Sequence, residues 1–232
     1  MRREAAATDT IIQCEGVGVS VEGTVLLHDV SLTLTAPRTA IIGANGSGKS
    51  TFARMLNGLR QPTTGTMRVH GLDPVRDVAA LRKHAGFVFT NPEAQILMPT
   101  PAEDLALSLP AVPRAERAQH VQTLLQRYGL QDRADVPVSS LSGGQRQLLA
   151  IAAVLATEPG LVIADEPTTL LDLRNARRIG QMLLDLTMPL VLVTHDLELA
   201  SGCDEVVLFD EGTVRAVGEP VAVIDEYRRS CA

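Results

Sequence analysis

One octet constrains this chain more than any other stretch: Gly43-Ala44-Asn45-Gly46-Ser47-Gly48-Lys49-Ser50, followed by Thr51. It fits G-x-x-x-x-G-K-[ST]. In that pattern glycines let successive backbone N–H groups turn inward onto phosphate oxygens, at the positive end of a helix. The flanks supply the setting that the motif requires. Thr39-Ala40-Ile41-Ile42 reads as a buried strand, and Thr51 to Asn57 reads as a helix stopped by Gly58. Lys49 is expected to reach the β- and γ-phosphates, and the Ser50 hydroxyl to hold Mg²⁺. The alternative is a bare glycine turn before a helix. The strand–loop–helix setting favours a nucleotide site over the whole stretch 43–51.

The rest of the chain supports an α/β fold. Thr10 to Val21 and Val25 to Leu34 form a predicted hairpin around Glu22-Gly23-Thr24. Val30, Leu32 and Leu34 alternate with polar neighbours, so that strand is expected to be covered on one face only. Thr66 to His70 reads as a short strand, Asp77 to Lys83 as a short helix, and Gly86 to Phe89 as a buried strand. From Thr90 to Ser140 prolines recur and strand signals vanish. Thr100-Pro101-Ala102-Glu103 starts a helix as a capping box with proline at its first position, and a second helix is expected from Pro113 to Tyr128. Residues 90–140 thus read as a helical insert. Beyond Leu141 the rhythm is helix to Ala156, strand Leu161 to Ala164, helix from Asp172, strand Leu190 to Thr194 and helix from Asp196. On the Asp172 helix, Leu173, Ala176, Ile179, Leu183 and Leu186 predict one buried face. A closing hairpin is expected around Glu211-Gly212.

Composition narrows the function. A net charge of −6 gives no electrostatic case for nucleic acid as a partner. Lys49 and Lys83 are the only lysines. Cys14, Cys203 and Cys231 are odd in number and widely spaced, which predicts reduced thiols and no zinc site. Residues 1–9 are expected to be a flexible tail with no apolar core of a signal peptide. No apolar run approaches the length of a membrane span, so any membrane role would need a partner.

Three further motifs carry chemistry. Leu161-Val162-Ile163-Ala164-Asp165-Glu166 is an apolar strand ending in two acids. Asp165 is expected beside Ser50, in the Mg²⁺ shell, and Glu166 near the γ-phosphate as general base. Val193-Thr194-His195-Asp196 puts His195 at the carboxyl end of another strand, where α/β ligands bind. There it is expected to donate to the γ-phosphate, while Asp196 caps the next helix. Leu141-Ser142-Gly143-Gly144-Gln145 opens a helix and offers a second anion-binding N-terminus. Two such helix ends and one lysine-bearing loop are most simply reconciled if they come from different protomers.

The ordered set Gly43–Ser50, Leu141–Gln145, Asp165-Glu166, Leu171-Asp172 and His195 resembles the nucleotide-binding subunit of ABC transporters across nearly the whole chain. The resemblance implies a single ABC-type ATPase domain over residues 10–232: a RecA-like P-loop NTPase core with an N-terminal antiparallel β subdomain, together spanning 10–89 and 141–232, and the helical insert at about 90–140. It implies a head-to-tail dimer sandwiching two ATP molecules with Mg²⁺. Ser142, Gly143 and Gly144, with Gln145, would face the nucleotide held by the other protomer, and Asp172 would lie across the seam.

Two positions depart from the family pattern. The usual adenine-stacking aromatic is missing, since none precedes Phe52, and its position, near Val21, is aliphatic. His28 or an aliphatic wall is left to cover the base. The usual glutamine after the Gly86–Phe89 strand is Thr90, with Gln95 a weaker candidate metal contact. The run Phe87-Val88-Phe89-x-Asn91-Pro92-Glu93-x-Gln95 is similar to ATPases of energy-coupling-factor importers, and the threonine resembles those for biotin. Cobalt or nickel importers are the alternative, and soluble ABC ATPases of DNA repair or translation the alternative of another class. The resemblance implies an integral membrane coupling protein and a substrate-binding membrane subunit as partners, with the chain peripheral on the cytoplasmic face. Glu93, Glu103 and Asp104 are the expected acids for a docking arginine of that partner.

Overall fold

Two sheets enclose one of two core clusters, and the turn between the first two strands shows how local chemistry sets their register. β1 (Ile12–Val21) and β2 (Thr24–Leu34) pair antiparallel. Glu22 and Gly23 between them have φ of 49° and 82°, a turn whose twist matches that of the strands. The alternation read in β2 holds: Val30, Leu32 and Leu34 are buried and their neighbours exposed. The described residues are 11–231 of this computed structural model, so the expected tail and the start of the predicted first strand at Thr10 lie outside them.

The chain continues through β3 (Arg38–Ile42), α1 (Lys49–Met55), β4 (Thr64–Val69), α2 (Val78–His84) and β5 (Ala85–Val88). Between residues 89 and 142 it holds α3 (Pro101–Leu107), α4 (Arg114–Tyr128) and short 3₁₀ turns, with no strand. Then follow α5 (Gly143–Leu155), β6 (Leu161–Asp165), α6 (Leu173–Leu184), β7 (Leu190–Val193), α7 (Leu197–Ser201), β8 (Glu205–Asp210), β9 (Thr213–Gly218) and α8 (Pro220–Ser230).

β4 joins the hairpin as an antiparallel sheet ordered β2-β1-β4. The larger sheet runs β5-β6-β7-β3-β8-β9, parallel except for β9. β6 and β7 are apolar along their length, apart from the terminal Asp165, because both faces of the sheet are covered. α1 is buried between the two sheets, where Phe52 packs on Phe209 with ring centroids 5.1 Å apart. The opposite face of the large sheet is covered by α3 to α6, in one cluster that includes Leu105, Leu125, Leu149, Ile151, Ile179 and Leu183.

Two details differ from the sequence reading. Ile179 and Leu183 of α6 are buried, but Leu173 is 67% exposed, so its place in the apolar stripe does not hold. The second difference is α8, a helix the sequence reading left out. It starts with Glu219 accepting a hydrogen bond from the Ala222 N–H and Pro220 at the first position, a pairing visible in the sequence.

Candidate functional site

The phosphate loop joins β3 to α1, and its shape needs glycine at defined places. A Cβ on Gly43 (φ 141°) would run into the Phe209 carbonyl, and one on Gly48 (φ 100°) into the Leu27 side chain. At Gly46 (φ 82°) an added Cβ would meet nothing within 4 Å, so only backbone conformation demands glycine there. Lys49 is 6% exposed, and its Nζ donates to the carbonyl oxygens of Gly43 and Ala44, both at 2.8 Å. Burial lowers the lysine pKa, an effect that Glu166 and Asp165 oppose. Ser47 Oγ is buried and has no hydrogen-bond partner among the described residues.

The strand order brings the acids to this loop. Ser50 Oγ donates to Asp165 Oδ1 at 2.8 Å, joining the start of α1 to the end of β6 as read from the motifs. Asp165 is 2% exposed. Burial raises its pKa, against the Ser50 hydrogen bond and the charges of Arg54 and Lys49. Glu166 follows with φ 51°, a left-handed conformation held by its N–H donating to Val193 O at 2.9 Å. Such a conformation costs of order 1–3 kcal/mol for a residue with a side chain and persists where the surroundings enforce it. β6 and β7 are neighbours, so the residues just past their ends meet: His195 Nδ1 lies 2.7 Å from Glu166 Oε2. Thr169 Oγ1 donates to the same oxygen at 2.8 Å. Thr169 was not singled out in the sequence, because only the turn after Glu166 brings it back to the carboxylate.

Of the two candidates for the missing glutamine, Thr90 touches the strand end, its Oγ1 donating to the Asp165 carbonyl at 2.8 Å. Gln95 is turned elsewhere: its Oε1 accepts from the Phe89 N–H and its Nε2 donates to the Ala150 carbonyl, both at 3.3 Å. Near the expected base position, Val21 is 38% exposed and Val25 58%. His28 is fastened to the β8–β9 turn, with Nε2 3.1 Å from the Glu211 carbonyl.

The helix expected to open at Leu141–Gln145 forms as read. Ser142 Oγ accepts from the Gln145 N–H at 3.3 Å, and Gln145 Oε1 accepts from the Ser142 N–H at 2.9 Å. This capping box fixes the start of α5. Asp172 caps α6: Oδ1 accepts from the Asn175 N–H at 3.0 Å and Oδ2 from Asn175 Nδ2 at 2.6 Å. These bonds hold the Asp172 carboxyl below the usual range. No hydrogen bond or ion pair among the described residues joins Ser142–Gln145 or Asp172 to the phosphate loop.

The acids expected to dock a partner behave differently from one another. Asp104 is corrected: it is 4% exposed, and its Oδ1 accepts from the N–H groups of Leu97 and Met98 at 2.8 and 3.1 Å. It organises the loop before α3. Glu103 Oε2 accepts from Thr100 Oγ1 at 2.9 Å. Glu93 is exposed and lies 3.7 Å from Arg146.

Residues 27–169 match the family model described as ABC transporter. The biotin transport ATP-binding protein BioM of Rhizobium etli is 41% identical over 224 residues, covering 95% of this chain and 99% of that protein. The energy-coupling factor transporter ATP-binding protein EcfA1 of Lactiplantibacillus plantarum is 37% identical over 205 residues, covering 85% of this chain and 73% of that protein. Among solved structures, CbiO1 of Clostridium perfringens, described as part of the ABC transporter complex CbiONQ, superposes with a TM-score of 0.82 at 31% identity. That match covers 94% of this chain and 92% of CbiO1. No helix among the described residues is long and apolar enough to cross a membrane.

Proposed function

The chain belongs to the ABC transporter family as an ATP-binding, ATP-hydrolysing subunit, and from that premise we propose that it powers an importer of the energy-coupling-factor type, with biotin as the solute. The resemblance to BioM and EcfA1 supports the importer class. The single structural observation behind the ATPase chemistry is the 2.8 Å Ser50–Asp165 contact, which puts a hydroxyl and a carboxylate together beside Lys49.

These two oxygen donors suit Mg²⁺, a hard cation that keeps several waters and takes one or two carboxylates. Ser50 and Asp165 would hold the ion, which would supply charge neutralisation for the phosphates of the bound nucleotide. Gly43 to Thr51 would cradle the phosphates through backbone N–H groups, and Lys49 would exchange its two carbonyl acceptors for phosphate oxygens. Glu166 would take the proton from the attacking water. Its Oε2 already has two partners in His195 and Thr169, so the carboxylate is held in place with Oε1 left for the water. His195 would orient that carboxylate and the γ-phosphate.

Ser142, Gly143, Gly144, Gln145 and Asp172 would complete the site of a second copy in a head-to-tail dimer. An integral membrane coupling protein and a substrate-binding membrane subunit would complete the importer, with this chain on the cytoplasmic face. Deleting the chain tests the solute assignment. Loss of biotin uptake, restored by wild type and not by Glu166→Gln, is expected. Intact biotin uptake with lost cobalt or nickel uptake would overturn biotin and support the metal-ion reading.

A further inference from the structure

Asn175 stands outside every motif above, and it touches both parts of the exposed half of the site. Its side-chain amide donates to Asp172 Oδ2 at 2.6 Å, while its backbone N–H donates to Oδ1 of the same carboxylate. Both oxygens of Asp172 are therefore committed to one residue. The other face of that amide lies against the start of α5. A Cβ built on Gly144 would fall 2.7, 2.8 and 2.9 Å from Asn175 Cγ, Oδ1 and Nδ2, closer than real side chains approach. Gly144 is buried in consequence, although Ser142 and Gly143 on the same turn are exposed.

The ordinary need at the third residue of a helix is different. There a Glu or Gln reaches back to the backbone N–H of the cap, as Gln145 does for Ser142 in α5. Asn175 occupies that position in α6 but spends its amide on the cap side chain. An alanine there would leave the backbone cap of α6 intact, because Asp172 Oδ1 would still accept from the residue 175 N–H. The amide is thus surplus to capping, and what it adds is a rigid connection from Asp172 to Gly144.

We propose that Asn175 is a positioning residue that locks the Ser142–Gln145 turn and Asp172 into one unit, so that both meet the partner copy's nucleotide together. The inference rests on the proposed head-to-tail dimer. Asn175 touches no reacting atom. It sets the distance between two loops, and Gly144 is required to be glycine by its own chain as well as by any phosphate.

The test uses the Glu166→Gln chain, in which ATP·Mg²⁺ is expected to drive dimerisation visible by light scattering. Adding Asn175→Ala should leave thermal stability and nucleotide affinity of the monomer unchanged and weaken ATP-driven dimerisation about tenfold, the scale of one hydrogen bond to a charged group. Asn175→Asp, nearly isosteric, should weaken it further by placing like charges together, with recovery as the pH is lowered toward the carboxylate range. Gly144→Ala should prevent dimerisation when Asn175 is present, and the double variant Gly144→Ala/Asn175→Ala should dimerise better than additivity allows. Dimerisation of Glu166→Gln/Asn175→Ala as tight as that of its parent, or strict additivity in the double variant, overturns the inference. Failure of Glu166→Gln itself to dimerise would instead count against the head-to-tail reading.

Discussion

The two halves of the nucleotide machinery are built on opposite principles. At the carboxyl edge of the large sheet, Lys49, Ser47 and Asp165 are 6%, 4% and 2% exposed, and Lys49 and Asp165 are held by hydrogen bonds within the chain. At the α5 and α6 starts, Ser142, Gly143 and Asp172 are exposed, flanked by Leu170 and Leu173 at 65% and 67%. Buried charge requires local partners, and the first half has them. Apolar side chains left in water beside two N-terminal helix ends suit the surface that the proposed second copy would cover. One half is finished within the chain, and the other would be finished by the proposed assembly.

The largest expected effect falls on the finished half. Glu166→Gln should lower steady-state ATP turnover by about 10²–10⁴-fold, the usual contribution of a positioned base, while a fluorescent ATP analogue binds as before. Unchanged turnover would remove Glu166 from the chemistry. Next is Lys49→Ala, which should weaken nucleotide binding itself, by about 10–10²-fold for a charge-assisted contact to phosphate. Isothermal titration distinguishes it from Glu166→Gln, and normal affinity would contradict the assignment of Lys49.

Asp165→Asn separates stability from function. The Asp165 pKa is raised chiefly by burial, so the folded state disfavours the charge and the neutral amide removes that cost. Calorimetry should show nucleotide-free protein at least as stable as wild type at pH 7, with Mg²⁺-dependent ATP binding lost. A destabilised variant would mean that the Ser50 bond outweighs desolvation.

A smaller contrast concerns the acids of the loop before α3. Asp104→Ala leaves the Leu97 and Met98 N–H groups without their acceptor and should cost about 1–3 kcal/mol of stability. Glu93→Ala should leave stability unchanged and reduce co-purification with membrane partners. Equal stability of the two variants would show that Asp104 does not organise the loop. The smallest effect concerns the base: with Val21 in place of an aromatic, GTP should bind within about tenfold of ATP, since base–aromatic stacking is worth about 1–3 kcal/mol. Competition binding measures it, and a preference above a hundredfold would show that another group reads the adenine.

Motifs of both halves were legible, those of the finished half most directly. Gly43–Ser50, Asp165, Glu166 and His195 are spaced by demands on the backbone and by strand ends, which sequence records directly. The positions that escaped depend on packing between distant segments. Leu173 follows the periodicity of α6, yet periodicity does not say how far the sheet extends beneath a helix. Asp104 reads as an acid available to a partner, and only the return of Leu97 and Met98 engages it within the chain. Asn175 left a signal, an amide three residues after a capping aspartate, but its use against Gly144 emerges only where α5 and α6 cross. The α8 helix was missed although Glu219-Pro220 announces it.

On the proposed reading, ATP supplies what the exposed half lacks. Light scattering on Glu166→Gln, with and without ATP·Mg²⁺, measures it directly. The mass of one chain is expected without nucleotide, and of two with it. A tight dimer without nucleotide, or a single chain at saturating ATP·Mg²⁺, would contradict it.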